Sequence, residues 1–438
     1  MRSYVWHPYT QMREWPHFDV IVKGKGMWLY DSKGKILLDG VASMWCNVWG
    51  HSKDELVNAM IAQTRKLQHS SLFNLTNDKA EELARKLVSL APNMDRVFYS
   101  DDGSTAMEIS AKMALQYWYN KGKKNKTKFA TLENGYHGDT IGAMSLGYVP
   151  SFFSRYKPVI FPVIKSPSPV SYRIPRGFTY EEYQEFCLEK IEITLSKNDN
   201  IAAFVMESGA QIAGGVTIYP PGFQKKIANL CKKYDTLFVL DEIATGFGRL
   251  GSMIEYQSQD SIPDIVSFGK MLTGGYLPLA TTLVRKRVYD AFLGSAEEMK
   301  HFFHGHTFTG NPLACATAIA NLALYKKQNL ISKIKKRSTQ LSKRVDEISR
   351  LGMVCDVRHK GMLVGIELVS DKEKKTSINP QKRISQRIFN EAKRHKIYLR
   401  TLGHIIMLMP PLAISQNELD FLVDGTIDTI QHVAKTML

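Results

Sequence analysis

Between residues 19 and 45 apolar and polar positions alternate around glycine-containing turns, as in Val20-Ile21-Val22 and Trp28-Leu29-Tyr30. A period of two predicts short antiparallel strands. From 53 to 90 the period lengthens. Leu56, Met60, Ile61 and Leu67, then Leu83, Leu87 and Leu90, recur at helical spacing. The middle alternates apolar runs with helical stretches: strands at Arg96–Tyr99, Ala202–Met206, Thr236–Leu240 and Ile265–Phe268, and helices at Ser104–Tyr119 and Gly222–Tyr234. Such alternation implies right-handed crossovers and a mostly parallel sheet. Asn311-Pro312 offers an N-cap and a first-turn proline for a long helix. After Leu351 the pattern is mixed α+β. The expected architecture is α/β: a large domain over 51–334 and a smaller α+β domain built from both chain ends, 1–50 and 335–438.

The 438 residues, 44% of them hydrophobic, suffice for two cores. The formal charge of +16 raises the question of nucleic acid. The basic residues cluster in Lys121–Lys128, Lys326–Arg344 and Lys372–Lys375, with no interleaved aromatic platform. They read as a solvated surface, and no nucleic-acid partner is expected. The five cysteines form no C-x-x-C pair, so neither a metal cluster nor a disulfide framework is expected. No apolar run approaches the ~20 residues that span a bilayer, and Met1 to Trp15 holds no apolar leader core. A soluble cytoplasmic protein without membrane partners is expected.

Ligands of open α/β sheets bind beyond the carboxyl ends of the strands, and three such ends carry unusual residues. In Phe98-Tyr99-Ser100-Asp101-Asp102-Gly103-Ser104-Thr105-Ala106, Gly103 permits a tight turn and Ser104 opens a helix whose free N–H groups favour an anion. Asp241 ends the run Thr236–Leu240, where a buried carboxylate needs a partner such as a protonated pyridine nitrogen. Lys270 ends Ile265-Val266-Ser267-Phe268-Gly269, and a buried lysine has a lowered pKa and makes Schiff bases. Singly, each has an ordinary alternative: helix capping, a capping or metal-binding aspartate, a lysine that snorkels to solvent. Together an anion cup, a buried acid and a buried amine are the set that a phosphorylated pyridine aldehyde needs. Neither a Walker loop nor a dinucleotide fingerprint is present. Asn134-Gly135-Tyr136-His137-Gly138-Asp139 offers Tyr136 as a flat ring to stack on a cofactor, or as a core tyrosine beside a turn. Gly305-His306-Thr307-Phe308-Thr309-Gly310 offers further phosphate donors, or plain loop chemistry.

With these residues in view, the chain resembles the class III aminotransferases among the fold-type I enzymes that use pyridoxal 5′-phosphate (PLP). Asp241-Glu242-Ile243-Ala244-Thr245-Gly246-Phe247-Gly248-Arg249 followed by Gly269-Lys270 carries the resemblance, which extends over essentially the whole chain. Trp6-His7-Pro8-Tyr9-Thr10-Gln11-Met12, Leu272-Thr273-Gly274-Gly275-Tyr276 and Met409-Pro410-Pro411 are most similar to the members acting in biotin synthesis. The resemblance implies PLP as cofactor, small-molecule substrates and a homodimer with shared active sites. The implied substrate is 8-amino-7-oxononanoate, and the implied amino donor is S-adenosylmethionine, with lysine used in a minority branch. It assigns Lys270 as the Schiff-base lysine and proton shuttle and Asp241 as partner of the pyridinium nitrogen. Gly103 and Ser104 hold the phosphate, Tyr136 stacks on the ring and Glu207 lies close by. His306 and Thr307 join the cofactor set, Thr307 on the phosphate of the neighbouring subunit's cofactor. Tyr9, Trp45, Gly305 and Arg400 face the substrate, Arg400 by a bidentate grip on its carboxylate.

Two departures touch the substrate side. Members often carry two adjacent tryptophans after the Asp39-Gly40 pair; here Met44 stands for the first and Trp45 remains. His306 stands where a proline commonly precedes the threonine. The alternatives are a class III enzyme acting on another ω-amine, such as 4-aminobutyrate or ornithine, a non-catalytic relative, or a basic nucleic-acid-binding protein.

Overall fold

The computed structural model describes residues 3–15 and 17–437. The alternating N-terminal pattern folds as antiparallel β1 (Ile21–Lys25), β2 (Trp28–Asp31) and β3 (Ile36–Asp39). The middle of the chain supplies β4 (Arg96–Ser100), β5 (Lys128–Leu132), β6 (Ile164–Ser166), β7 (Ile201–Glu207), β8 (Leu237–Asp241), β9 (Ile265–Phe268) and β10 (Ala280–Val284). The C-terminal part supplies β11 (Val354–Lys360), β12 (Leu363–Leu368), β13 (Ile397–Tyr398), β14 (Arg400–Leu402) and β15 (Ile405–Leu408).

The large sheet runs β4-β10-β9-β8-β7-β5-β6. All its strands are parallel except β10, which is antiparallel to both neighbours. The expected mostly parallel sheet is therefore present, with β10 as a strand that the pattern did not predict. Its Ala-Thr-Thr-Leu-Val carries two buried hydroxyls, and Thr282 Oγ1 donates to Ala106 O at 3.1 Å. Strands β7, β8 and β9 are buried along their whole length because helices cover both faces. Alternate side chains serve opposite cores: Val205 and Val239 join one cluster, Phe204 and Phe238 the other.

The helices that matter for the site are α1 (Asp54–Lys66), α2 (Asp78–Leu90), α3 (Gly103–Asn120), α4 (Pro312–Lys327) and α5 (Leu330–Ser349). The helical period over 53–90 is thus interrupted. Leu67 is extended, and a fresh helix starts at Asn77, whose Oδ1 accepts from Ala80 N at 2.8 Å. Leu72 and Leu75 continue the apolar spacing through the break without making a helix. At α4 the expected cap is in place: Asn311 Oδ1 accepts from Leu313 N and Ala314 N at 3.0 and 3.2 Å.

The two ends of the chain meet. Strand β13 pairs in parallel with β3, Ile397 opposite Leu38 and Tyr398 opposite Asp39. Beside them β11-β12-β15-β14 form an antiparallel sheet. Among the described residues no helix is long and apolar enough to cross a membrane, and no group of three or more metal-ligating side chains occurs.

Candidate active site

Neighbouring parallel strands in register deliver their last residues side by side. Asp241 at the end of β8 is opposite Glu207 at the end of β7 and Ser267 of β9. Lys270 follows two residues beyond β9, at φ +43°. With Tyr136, His137 and Gly138 of the loop after β5, Asp241, Glu207 and Lys270 line one cavity of about 520 Å3, a size suited to a small-molecule ligand.

Both carboxylates are buried and bonded. Asp241 Oδ1 accepts from Ile243 N at 2.9 Å, and Oδ2 lies 2.9 Å from His137 Nδ1. Glu207 accepts from Tyr136 N at 3.2 Å and Ile212 N at 3.0 Å. Burial pushes the Glu207 carboxyl up to about 7, His137 opposing and Asp241 adding to the rise. Burial also lowers the Lys270 ammonium, against the pull of Asp241 and Glu207. Lys270 Nζ sits 5.6 Å from the centre of the Trp45 ring.

The cup at the start of α3 forms as its sequence suggested. Asp102 caps the helix, accepting from Thr105 N at 3.0 Å, which leaves Gly103 and Ser104 at the cavity wall. A Cβ on Gly103 would approach Ile243 Cγ2 to 2.8 Å. Gly138, at φ +128°, packs so closely on Ser104 that a side chain there would collide with it. Ser104 Oγ accepts from Asp139 N at 3.3 Å. The helix terminus is thus approached by backbone alone, which suits an anion.

At the mouth, residues from distant parts of the chain converge. Tyr9 lies 3.2 Å from the Tyr136 hydroxyl and donates to Asp139. Burial and the Asp139 carboxylate raise the Tyr9 phenol to about 12. The Arg400 guanidinium carbon lies 5.7 Å from the Tyr9 ring centre, and Arg400 Nη1 touches Met44 Sδ. Tyr136 lines the cavity and stacks on Phe153, with centroids 6.1 Å apart and planes at 10°.

Lys270, Asp241, Glu207, Gly103, Ser104, Tyr136 and Trp45 therefore line one cavity, with Tyr9 and Arg400 at its mouth. Gly305, His306 and Thr307 do not line it. Gly305 and Thr307 are exposed, and His306 turns its Nδ1 to Asp101 Oδ2 at 2.9 Å and its Nε2 to His304 Nε2 at 3.2 Å. The expectation that Gly305 lines the pocket is not met within a single chain. Sequence reasoning also left His137 and Asp139 without roles. Both stand in the Tyr136 motif, but their bonds to Asp241 and Tyr9 depend on the tertiary fold.

A phosphorylated pyridine aldehyde fits this cavity. It needs an anion cup, an acid for a ring nitrogen, an amine for the aldehyde and a flat ring, and each is present on the wall. The family profile of the class III aminotransferases matches residues 9–430, and the chain belongs to that family of PLP-dependent transaminases. It is 45% identical over 437 residues to the adenosylmethionine-8-amino-7-oxononanoate aminotransferase of Geobacter sulfurreducens, covering 99% of this chain and 96% of that protein. The crystal structure of the Methanocaldococcus jannaschii enzyme of the same name superposes with a TM-score of 0.92 at 39% identity, over 98% of this chain and 97% of that one. A PLP-bound amine transaminase from an uncultivated Pseudomonas species superposes at 0.94 with 30% identity, covering 99% of each chain.

Proposed function

We propose that the protein transfers an amino group to 8-amino-7-oxononanoate, giving 7,8-diaminononanoate, with S-adenosylmethionine as donor. What carries the proposal is the convergence of Tyr9, Tyr136 and Arg400 at the mouth of a cavity that holds Lys270 and Asp241, in a chain 45% identical to an enzyme named for that reaction.

PLP supplies an electrophilic carbonyl and an electron-withdrawing ring. The chain supplies the rest. Asp241, its carboxylate fixed by His137 and Ile243 N, keeps a ring nitrogen protonated. Gly103 and Ser104 present the helix terminus to the phosphate. Lys270, with its ammonium lowered by burial, offers a free amine as nucleophile and moves the proton from the donor carbon. Tyr136 closes one face of the ring, and Glu207 fills the ground beside Asp241. Arg400 grips a substrate carboxylate, and Tyr9 hydrogen-bonds the same substrate.

The active unit is a homodimer in the cytoplasm, in which Thr307 and His306 serve the partner's cofactor and Gly305 the partner's substrate. The exposure of Gly305 and Thr307 on the single chain supports this. We divide the chain into 51–334 and a smaller unit of 1–50 with 335–438; helix α5 crosses the second boundary.

Lysine is the second donor to consider, because Met44 rather than a tryptophan stands on the cavity wall. Mixing the PLP-loaded enzyme with each donor separately and following conversion to the pyridoxamine form tests the assignment. Conversion by S-adenosylmethionine, followed by turnover with 8-amino-7-oxononanoate, is expected. Conversion by lysine alone moves the donor, and no turnover with 8-amino-7-oxononanoate overturns the substrate.

A further inference from the structure

The wall of the cavity that faces Lys270 is a turn in a conformation that L-residues avoid. Ala42, Ser43 and Trp45 all have positive φ, at 49°, 59° and 65°, and Ser43 at ψ −72° is a γ-turn of the rare kind. None is glycine. Such strain persists only where surrounding bonds over-determine it, and it clusters at functional sites. The ends of the segment are pinned by backbone: Gly40 N donates to Tyr398 O at 3.1 Å and Val48 N to Gly274 O at 3.3 Å. Within the turn Trp45 N donates to Val41 O at 2.9 Å and Cys46 N to Ala42 O at 3.1 Å, and one side chain ties its first half to the end of β3. Asp39, fully buried at the end of β3, accepts from Val41 N at 3.3 Å and Ser43 N at 2.9 Å through Oδ1. Through Oδ2 it accepts from Ser43 Oγ at 2.9 Å and His51 Nε2 at 3.2 Å. Both carboxylate oxygens are thereby committed, and Asn47 in turn lies 3.4 Å from His51 Nε2.

We propose that Asp39 is a positioning residue for amino transfer: with Ser43 and His51 it clamps the strained turn so that Met44, Trp45 and Cys46 form the substrate wall facing Lys270. Asp39 touches neither cofactor nor substrate. It acts by fixing where three side chains stand, and so by deciding which substrates fit. The proposal rests on the amino-transfer assignment for its kinetic arm alone.

The test uses the PLP-loaded enzyme. Cys46 stands on the wall, Cys187, Cys231 and Cys315 are buried, and Cys355 serves as an internal reference. In Asp39→Asn, alkylation of Cys46 by iodoacetamide relative to Cys355 should quicken about fivefold, and KM for 8-amino-7-oxononanoate should rise about tenfold with kcat within about twofold. Ala42→Gly in that background removes the cost of positive φ and should recover most of both effects. Ser43→Ala, which deletes one bond and no charge, should show a weaker form of the same pattern and carries the test where Asp39→Asn does not fold. Unchanged alkylation in both variants, or a double variant no better than Asp39→Asn, overturns the proposal. Absence of turnover by wild-type enzyme would instead sink the substrate assignment and leave the alkylation arm decisive.

Discussion

Asp241 Oδ2 lies 2.9 Å from His137 Nδ1, 104 positions away in sequence, and both side chains are buried. The carboxylate only accepts, so the imidazole donates from Nδ1. His137→Leu leaves one oxygen of Asp241 without this partner. A buried unsatisfied acceptor costs about 1–3 kcal/mol. Thermal unfolding should show that loss, and it should be smaller in His137→Gln, which keeps a donor. Equal stability of the two variants would mean that the bond contributes nothing.

Lys270→Ala should abolish turnover, a loss of at least about 10²–10⁴-fold for a group that moves a proton, while circular dichroism stays native. Borohydride followed by peptide mapping should place the cofactor on Lys270 in the wild type. Label on another lysine refutes the assignment.

The Glu207 carboxyl is raised from its ordinary 4.5 to about 7 by burial. A group with a raised folded pKa contributes stability that is fully present below 4.5 and lost as pH climbs to 7. The apo protein should therefore forfeit about 3 kcal/mol from this group across that window. Glu207→Gln carries no such titration. The difference between wild-type and variant stability, measured by denaturant melts at several pH values, should tilt by that amount between pH 4.5 and 7. A flat difference would show that Glu207 titrates normally in the fold.

Thr307→Ala should weaken PLP retention by about 1.5–3 kcal/mol, the worth of one hydrogen bond to a charged group. Mixed with Lys270→Ala, it should regain some activity, because one site of the heterodimer is then intact. No recovery with heterodimers confirmed by mass would put both residues in the same chain's site.

The strand ends were legible because a parallel strand buried on both faces reads as an apolar run, and a carboxylate or amine closing such a run stands out: hence Asp241 and Lys270, whereas Glu207 entered by resemblance. The cup at Gly103 was legible through its glycine and its capping residues. Strand β10 was not, because Thr281 and Thr282 interrupt its apolar run, and the bond by which Thr282 is accommodated in the core, to Ala106 O, is tertiary. The gap between α1 and α2 was not, because Leu72 and Leu75 keep a helical rhythm across an extended segment. Tyr9, Tyr136 and Arg400 each had a role by resemblance, but their meeting point depends on the chain ends folding together. The bond from His137 to Asp241 has no local signal at all.

The parallel pairing of β3 with β13 has a consequence for how the protein is made. Leu38 leaves the ribosome long before its partner Ile397. The strands of the large sheet, all within Arg96–Val284, are complete long before then. During translation the sheet and its anion cup can assemble while Asp39 and the turn after it still lack the edge that completes them. The nascent chain therefore carries an unfinished pocket until the segment around Ile397 and Tyr398 emerges, and contacts so distant in sequence are slow to form.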